Sequence, residues 1–345
     1  MQKRITEKDQ LLDEKGHLKH KGYATSLLLD YDRSKIKANK MRIKEWDYYL
    51  ISNGRKALAL TAADNSYMGM ISASWIDLEN KTETTNSLID PLTMGKKHMP
   101  SSSKEGDTVY ENNTGSLWFL HEDNGRRHLQ LLYPGFKDGK DLTADIITFD
   151  EPEDSMVIST PFADDPLAFY YNQKIVGMKA RGRVTLGTED YYFEKENTTA
   201  LLDWGRGVWT YDNTWYWSAA SGYLNGHMFG FNLGYGFGDT SAASENMLFY
   251  DGKAHKLDRI QFQIPRRYSG KDDFMSVWKF TSNDGRFEMK FKPVLNRSAH
   301  MNYLVLESDQ NQVFGNFTGT CTLDDGTVLE VVDFPGFAEK VHNRY

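Results

Sequence analysis

The sequence predicts a mainly β protein, two antiparallel β barrels or sandwiches packed together with short helices at the N-terminus. Three observations carry this: a dense series of Asn-Gly and Asp-Gly pairs, strand-like alternation of apolar and polar residues, and very little 3.6-residue periodicity. Asn53-Gly54, Asn124-Gly125, Asp138-Gly139, Asn225-Gly226, Asp251-Gly252, Asp284-Gly285 and Asp325-Gly326 each separate segments rich in aromatic and aliphatic residues. Such pairs supply the positive-φ residues of tight hairpins. Only near the start do ITEKDQLLDEK and SKIKANKM show the spacing of short helices.

Alternation shows which strand faces are buried. In FEMKFK, Phe287, Met289 and Phe291 alternate with Glu288, Lys290 and Lys292, the pattern of one core face and one wet face. Further on, Val313, Gly315, Phe317, Gly319, Cys321 and Leu323 share a face, which makes Cys321 a small core residue rather than a reactive thiol.

A chain of 345 residues has room for two units at roughly 100–200 residues per domain. The Pro- and Asp-rich stretch DEPEDSMVISTPFADDPLAFYY lies near the middle and places the boundary there, giving units 1–165 and 166–345. With 41 Lys and Arg against 48 Asp and Glu, the formal charge is −7, which speaks against a general nucleic-acid binder. Arg33, Lys35, Lys37, Lys40, Arg42 and Lys44 form a local basic run, read as a solvated face. No apolar run approaches the roughly 18 residues of a membrane span, and MQKRITEKDQ lacks a signal-peptide core, so a cytoplasmic protein is expected. A single cysteine precludes an internal disulfide, and the Asn-x-Ser/Thr matches at Asn112, Asn197, Asn296 and Asn316 are read as chance.

The densest signal runs from Leu201 to Asn246. Trp204, Trp209, Trp215 and Trp217 are four of the eight tryptophans. After the Asn225-Gly226 turn, Phe229, Phe231, Leu233, Tyr235 and Phe237 fall on one side of a strand, with Gly230, Asn232, Gly234, Gly236 and Gly238 on the other. Glycines weaken a strand, so a face of them implies a bend or close approach by another group. The functional expectation is a cavity whose polar end is Asn232. Arg206, between Gly205 and Gly207, is suited to hold a carboxylate or phosphate, or to pair with Asp203 or Glu245.

The segments IKEWDYY, FYYNQKIVGMKARGRV, DWGRGVWTYDNTWYWSAASG, GFNLGYGFGD, ENMLFYDGKAHKLD and GFAEKVHNRY closely resemble the bacterial family catalogued as domain of unknown function 2804. The resemblance runs from about Gly22 to the last residue. That family is in turn distantly similar to two-domain lipocalin-like proteins, among them carotenoid hydratases. The resemblance implies a pair of lipocalin-like barrels and a ligand-holding cavity; a fold supplies no reaction by itself.

HExxH, CxxC, Walker and Gly-x-Ser-x-Gly motifs are all missing, and His17 and His20 read as a surface pair, so neither metal nor cofactor is expected. Carboxylate and aromatic chemistry is left. Asp203, Asp239, Glu245, Glu45, Asp47 and Glu339 sit in the family motifs, and two acids with separated pKa values exchange protons without help. The leading expectation is a cofactor-independent lyase, hydratase or isomerase acting on a small apolar or cyclic molecule. Asp203 and Glu245 are the candidate acid and base, and Trp204, Arg206, Trp209, Trp215, Trp217, Asn232 and Asn246 the candidate substrate contacts. Two alternatives use the same residues: a non-catalytic carrier of a lipid-like ligand, and a carbohydrate-binding or glycoside-cleaving protein, which needs two carboxylates across an open cleft. The terminal GFAEKVHNRY is expected to pack across the first unit, with Glu339 or His342 near Trp46.

Overall fold

The computed structural model describes residues 2–303 and 306–344, most of them in antiparallel strands. Each of the seven Asn-Gly or Asp-Gly pairs lies between two neighbouring paired strands. In Asn124-Gly125, Asp138-Gly139, Asn225-Gly226 and Asp251-Gly252 both residues have positive φ, the turn whose twist matches that of the flanking strands.

The first sheet runs, neighbour to neighbour, Thr82–Pro91, Met68–Asp77, Lys56–Asp64, Ile43–Ser52, Thr199–Val208, Asp165–Leu186, Lys140–Phe149, Arg127–Lys137, Gly115–His121 and Thr108–Asn112. Met156–Phe162 and Glu189–Phe193 pair onto Asp165–Leu186, and Gly22–Ala24 onto Met156–Phe162. The second sheet runs Lys253–Lys256, Met247–Tyr250, His227–Tyr235, Asp212–Leu224, Val328–Arg344, Leu306–Thr322, Phe287–Tyr303, Trp278–Ser282 and Ile260–Gln263. The chain therefore changes sheet between Val208 and Asp212, not after residue 165. The Pro- and Asp-rich stretch that suggested the earlier boundary contains only the hairpin between Met156–Phe162 and Asp165–Leu186.

The expected N-terminal helices do not form. ITEKDQLLDEK contributes the short strand Asp9–Gln10, parallel to Leu29–Asp30, and SKIKANKM spans two single 3-10 turns, Arg33–Lys35 and Lys40–Arg42. A helix of so few residues is marginal in water. Burying Ile5, Leu11 and Leu12 against the first sheet outweighs the weak helical spacing.

Three apolar clusters hold the molecule. One fills the inside of the first sheet and includes Ile51, Leu60, Phe119, Phe169 and Trp204. A second fills the inside of the second sheet with Phe229, Phe231, Trp278, Phe291 and Phe317. The third joins the sheets back to back: Tyr48, Leu50, Ala59 and Leu201 meet Trp217, Ala219, Phe314 and Phe337. Cys321 lies in the second cluster, and burial pushes its thiol up to about 12, consistent with a core residue. The C-terminal segment is the strand Val328–Arg344, central in the second sheet, not a tail across the first unit. Its Glu339 does face the first sheet, whereas His342 pairs with Asp212 at 2.9 Å.

Within the first sheet, glycine makes room for a large ring on the neighbouring strand. Gly205 is paired with Trp46, and a Cβ there would fall within the Trp46 indole. Gly205→Ala is expected to displace that ring and to cost about 1–3 kcal/mol, as overpacking does, read as a lower urea midpoint with an unchanged m-value. Among the described residues, no helix is long and apolar enough to cross a membrane.

A polar seam as the candidate functional site

Strand register decides which side chains meet between the sheets. Lys174 is paired with Asp203, and Asp203 with Tyr48, so these three share a face, as do Asn172, Gly205 and Trp46 one step along. On the opposing sheet Trp217 is paired with both Gly234 and Glu339, and Ala219 with Asn232. Gln312, paired with Glu339, lies on the same side. The glycine face read from the sequence is thus the face turned toward the first sheet, while Phe229, Phe231 and Leu233 fill the second sheet's own core.

Asp203 is the anchor on the first sheet. Its Oδ1 accepts from Lys174 Nζ at 2.7 Å and from Asn172 Nδ2 at 2.6 Å. The Lys174 ammonium also lies over the Trp217 ring, 4.2 Å from its centroid. Trp217 Nε1 donates to Asn232 Oδ1 at 2.7 Å, and Asn232 Nδ2 donates to the Glu245 carbonyl at 2.9 Å and more weakly to Glu245 Oε2 at 3.3 Å. A Cβ on Gly234 would stand 2.6 Å from the Glu245 carboxyl, so this glycine makes the space that the acid occupies.

The three acids of the seam have different environments. Burial pushes the Glu245 carboxyl up, and the neighbouring Asp203 adds to the effect, while Lys174 and the Asn232 bond oppose it. Burial pushes Glu339 up to about 7, against hydrogen bonds from Trp215 Nε1 to Oε1 and Gln312 Nε2 to Oε2, both 3.0 Å. Tyr170 is held far above its usual range by burial and by Glu245, Asp203 and Glu339, so it remains a protonated phenol. Burial likewise pushes Tyr48 up to about 12. Asn172 Oδ1, Gln312 Oε1 and Tyr48 Oη are buried without a hydrogen-bond partner in the protein. Gln312 is near enough across the join to act on the Tyr48 phenol, so these two can satisfy each other, and Asn172 Oδ1 is the atom that marks a place for a water.

Aromatic rings flank the seam. Trp46 stacks on Tyr170 with centroids 6.2 Å apart, and Trp209 touches Trp46, Trp215 and Phe237 edge-on at 4.7–5.7 Å. The rings contact one another and so form a wall, not an open cage. Glu339 reaches this wall through Trp215, and Trp209 touches both that ring and Trp46.

The sequence-derived set is therefore divided. Asp203, Glu245, Trp217 and Asn232 converge, and Trp209 and Trp215 lie beside them. Trp204 and Arg206 do not join them: alternation puts both on the other face of Thr199–Val208, inside the first sheet. Arg206 Nη1 pairs with Asp47 at 3.0 Å and donates to the carbonyls of Trp46 and Gly205, while Nε and Nη2 hold the Pro100 carbonyl. With each of its three nitrogens held by a protein acceptor and the Trp204 ring 4.3 Å away, it staples a loop on the inner face of the first sheet. Asn246 lines a groove of about 520 Å³ bordered by Gly234, Tyr235, Ser244 and Asp258, not the seam itself. A small void of about 30 Å³ lies within the seam between Leu50, Leu201, Ala219 and Phe314. Residues that sequence reasoning missed are Lys174, Asn172, Tyr170, Tyr48 and Gln312. The signal for the first three was present in FYYNQK, where Tyr170, Asn172 and Lys174 recur at every second position and so share one strand face. Among the described residues, no group of three or more His, Cys, Asp or Glu side chains is placed to hold a metal.

Two curled antiparallel sheets packed back to back give a mainly β fold consistent with a pair of lipocalin-like domains. A crystal structure of a provisionally designated AttH from Nitrosomonas europaea shares this fold, with a TM-score of 0.54 at 11% identity over 92% of this chain and 96% of that one. Kievitone hydratase from Nectria haematococca superposes at 0.46 with 13% identity, covering 91% of this chain and 92% of its own. No curated protein matches the chain in sequence. The chain belongs to the family described as Domain of unknown function (DUF2804), whose profile matches residues 2–345.

Proposed function

We propose that the seam is a cofactor-independent proton-transfer site that adds water to, removes it from, or isomerises a small, largely apolar or cyclic molecule, which must part the two sheets to enter because the void between them, about 30 Å³, has room for little more than a water. The single observation that carries this is Glu339, a carboxyl with a pKa near 7 facing a sheet that bears Asp203 in contact with Lys174. A carboxyl poised near neutral pH is both protonated and ionised in useful amounts, as a general acid or base requires. Glu339 is therefore the better candidate for the transferred proton, with Glu245 second. Asp203 serves to hold Lys174, and Trp217 and Asn232 orient the polar end of the substrate. Tyr170 supplies a neutral donor, and the Trp46–Trp209–Trp215 wall supplies apolar surface. The glycosidase alternative needs an open cleft, and these acids are buried between sheets.

Glu339→Gln tests the reading, because the amide keeps the acceptor for Trp215, and a flipped Gln312 amide offers its unpartnered Oε1 to the new Nε2–H. The protein is incubated in ¹⁸O water with a panel of cyclic alcohols and their dehydrated counterparts, and label uptake is followed by mass spectrometry. Wild type incorporates label, and the variant does so at least about 100-fold more slowly. Equal rates would remove Glu339 from the chemistry. A lipid retained in native mass spectrometry, with no uptake on any compound, would favour the carrier.

A further inference from the structure

The groove beside the seam holds a pair of residues that proton transfer at Glu339 does not use. Ser244 lines the groove, and Lys256 Nζ lies 2.9 Å from its Oγ. The amine has two other partners, the carbonyl oxygens of Asn246 at 2.8 Å and Leu257 at 2.7 Å. Among the described residues no carboxylate forms an ion pair with it. Asp258 and Glu245 act from further away, the Tyr23 ring lies 5.2 Å off, and Arg286 bonds the Lys256 carbonyl. Burial pushes Lys256 down to about 7. A neutral amine has two hydrogens and one lone pair. As an ammonium it donates to both carbonyls and to Ser244 Oγ; as a neutral amine it keeps the two carbonyl bonds and frees its lone pair for the serine proton.

We propose that Ser244 and Lys256 form a nucleophilic dyad that takes the acyl group of a small ester bound in this groove. Ser244 Oγ attacks the ester carbonyl carbon as its proton moves to Lys256 Nζ. The tetrahedral adduct collapses, the bond to the alcohol oxygen breaks, and Lys256 returns the proton to that oxygen. Water then attacks the acyl-serine, again through Lys256, releasing a carboxylic acid and restoring the serine. The Ser244 hydroxyl now points its proton at the Asp258 carbonyl, 2.8 Å away, and must rotate toward Lys256 for the first step. The Ser244 N–H, held by Gln2 Oε1 at 2.7 Å, is the backbone donor placed to receive the oxyanion once that side chain withdraws. A groove of about 520 Å³ is within the size range of small-molecule sites. No Gly-x-Ser-x-Gly elbow is needed, since the base is a lysine on a neighbouring strand and not a histidine.

The test is covalent labelling of the full chain by a small alkyl fluorophosphonate, with the adduct mapped by peptide mass spectrometry. The expected result is one adduct, on Ser244, whose rate rises with a midpoint near pH 7. Ser244→Ala abolishes it, and Ser241→Ala, which changes another groove hydroxyl, leaves the rate within about twofold. Lys256→Met slows labelling at least about 100-fold. Lys256→Arg, which keeps the charge and the donors but supplies no base, does the same and guards against a mere folding defect. No adduct on Ser244 of the wild type overturns the proposal, and so does undiminished labelling of Lys256→Arg.

Discussion

Lys174→Met is expected to destabilise the protein by about 3–5 kcal/mol, more than any other single change along the seam. Both partners of the Lys174–Asp203 pair are buried, with side-chain exposures of 3% and 9%. Removing the ammonium leaves the carboxylate in a dry site with only the Asn172 amide as compensation. It also removes the cation over the Trp217 ring, worth about 1–2 kcal/mol when desolvated, and one of the charges that hold Glu245 down. The Lys174→Met, Asp203→Leu double variant should recover more than half the loss, because a buried pair replaced by apolar groups of similar volume is close to neutral. Urea denaturation of the two single variants and the double closes the cycle. A double variant no more stable than Lys174→Met would show that the lysine acts through packing and not through the acid. Asp203→Asn strands the lysine in the same way, so its effect on any activity must be read beside a melting curve.

What the sequence revealed and what it concealed follow from the range of the interactions involved. Hairpins are local, so Asn225-Gly226 or Asp251-Gly252 alone fixes a turn, and alternation in FEMKFK alone fixes a face. The glycine face of His227–Tyr235 was legible for the same reason. Sheet membership is not local: Thr199–Val208 pairs with Ile43–Ser52, some 150 residues earlier, and nothing in DWGRGV shows that its strand closes the first sheet instead of opening the second. Counting positions within that strand separates Asp203 from Trp204 and Arg206, yet motif density drew them into one site. Lys174 was overlooked because a lone lysine in a strand normally reads as a wet position, and only register shows that its neighbour is Asp203. Glu339 was legible as an acid in a family motif, but its pKa near 7 comes from burial between two sheets that no local pattern records.

Glu339 should also make the protein less stable as pH rises through the neutral range. Its folded pKa of about 7 lies above the ordinary glutamate value, so between roughly pH 4.5 and 7 the folded state holds a proton that the unfolded chain has released. Stability from this group is complete below about pH 4.5, falls as pH rises, and levels off above about 7. A difference of about 2.5 pH units corresponds to about 3 kcal/mol at most. Glu245, raised by the same burial, works in the same direction. Glu339→Gln does not titrate, so its stability should fall less between pH 5 and pH 8, with the wild type losing about 2–3 kcal/mol more over that interval. Urea denaturation at the two pH values reads the difference. Parallel curves for wild type and variant would mean that Glu339 is ionised in the folded state throughout, which would also remove it as the group that carries the proton.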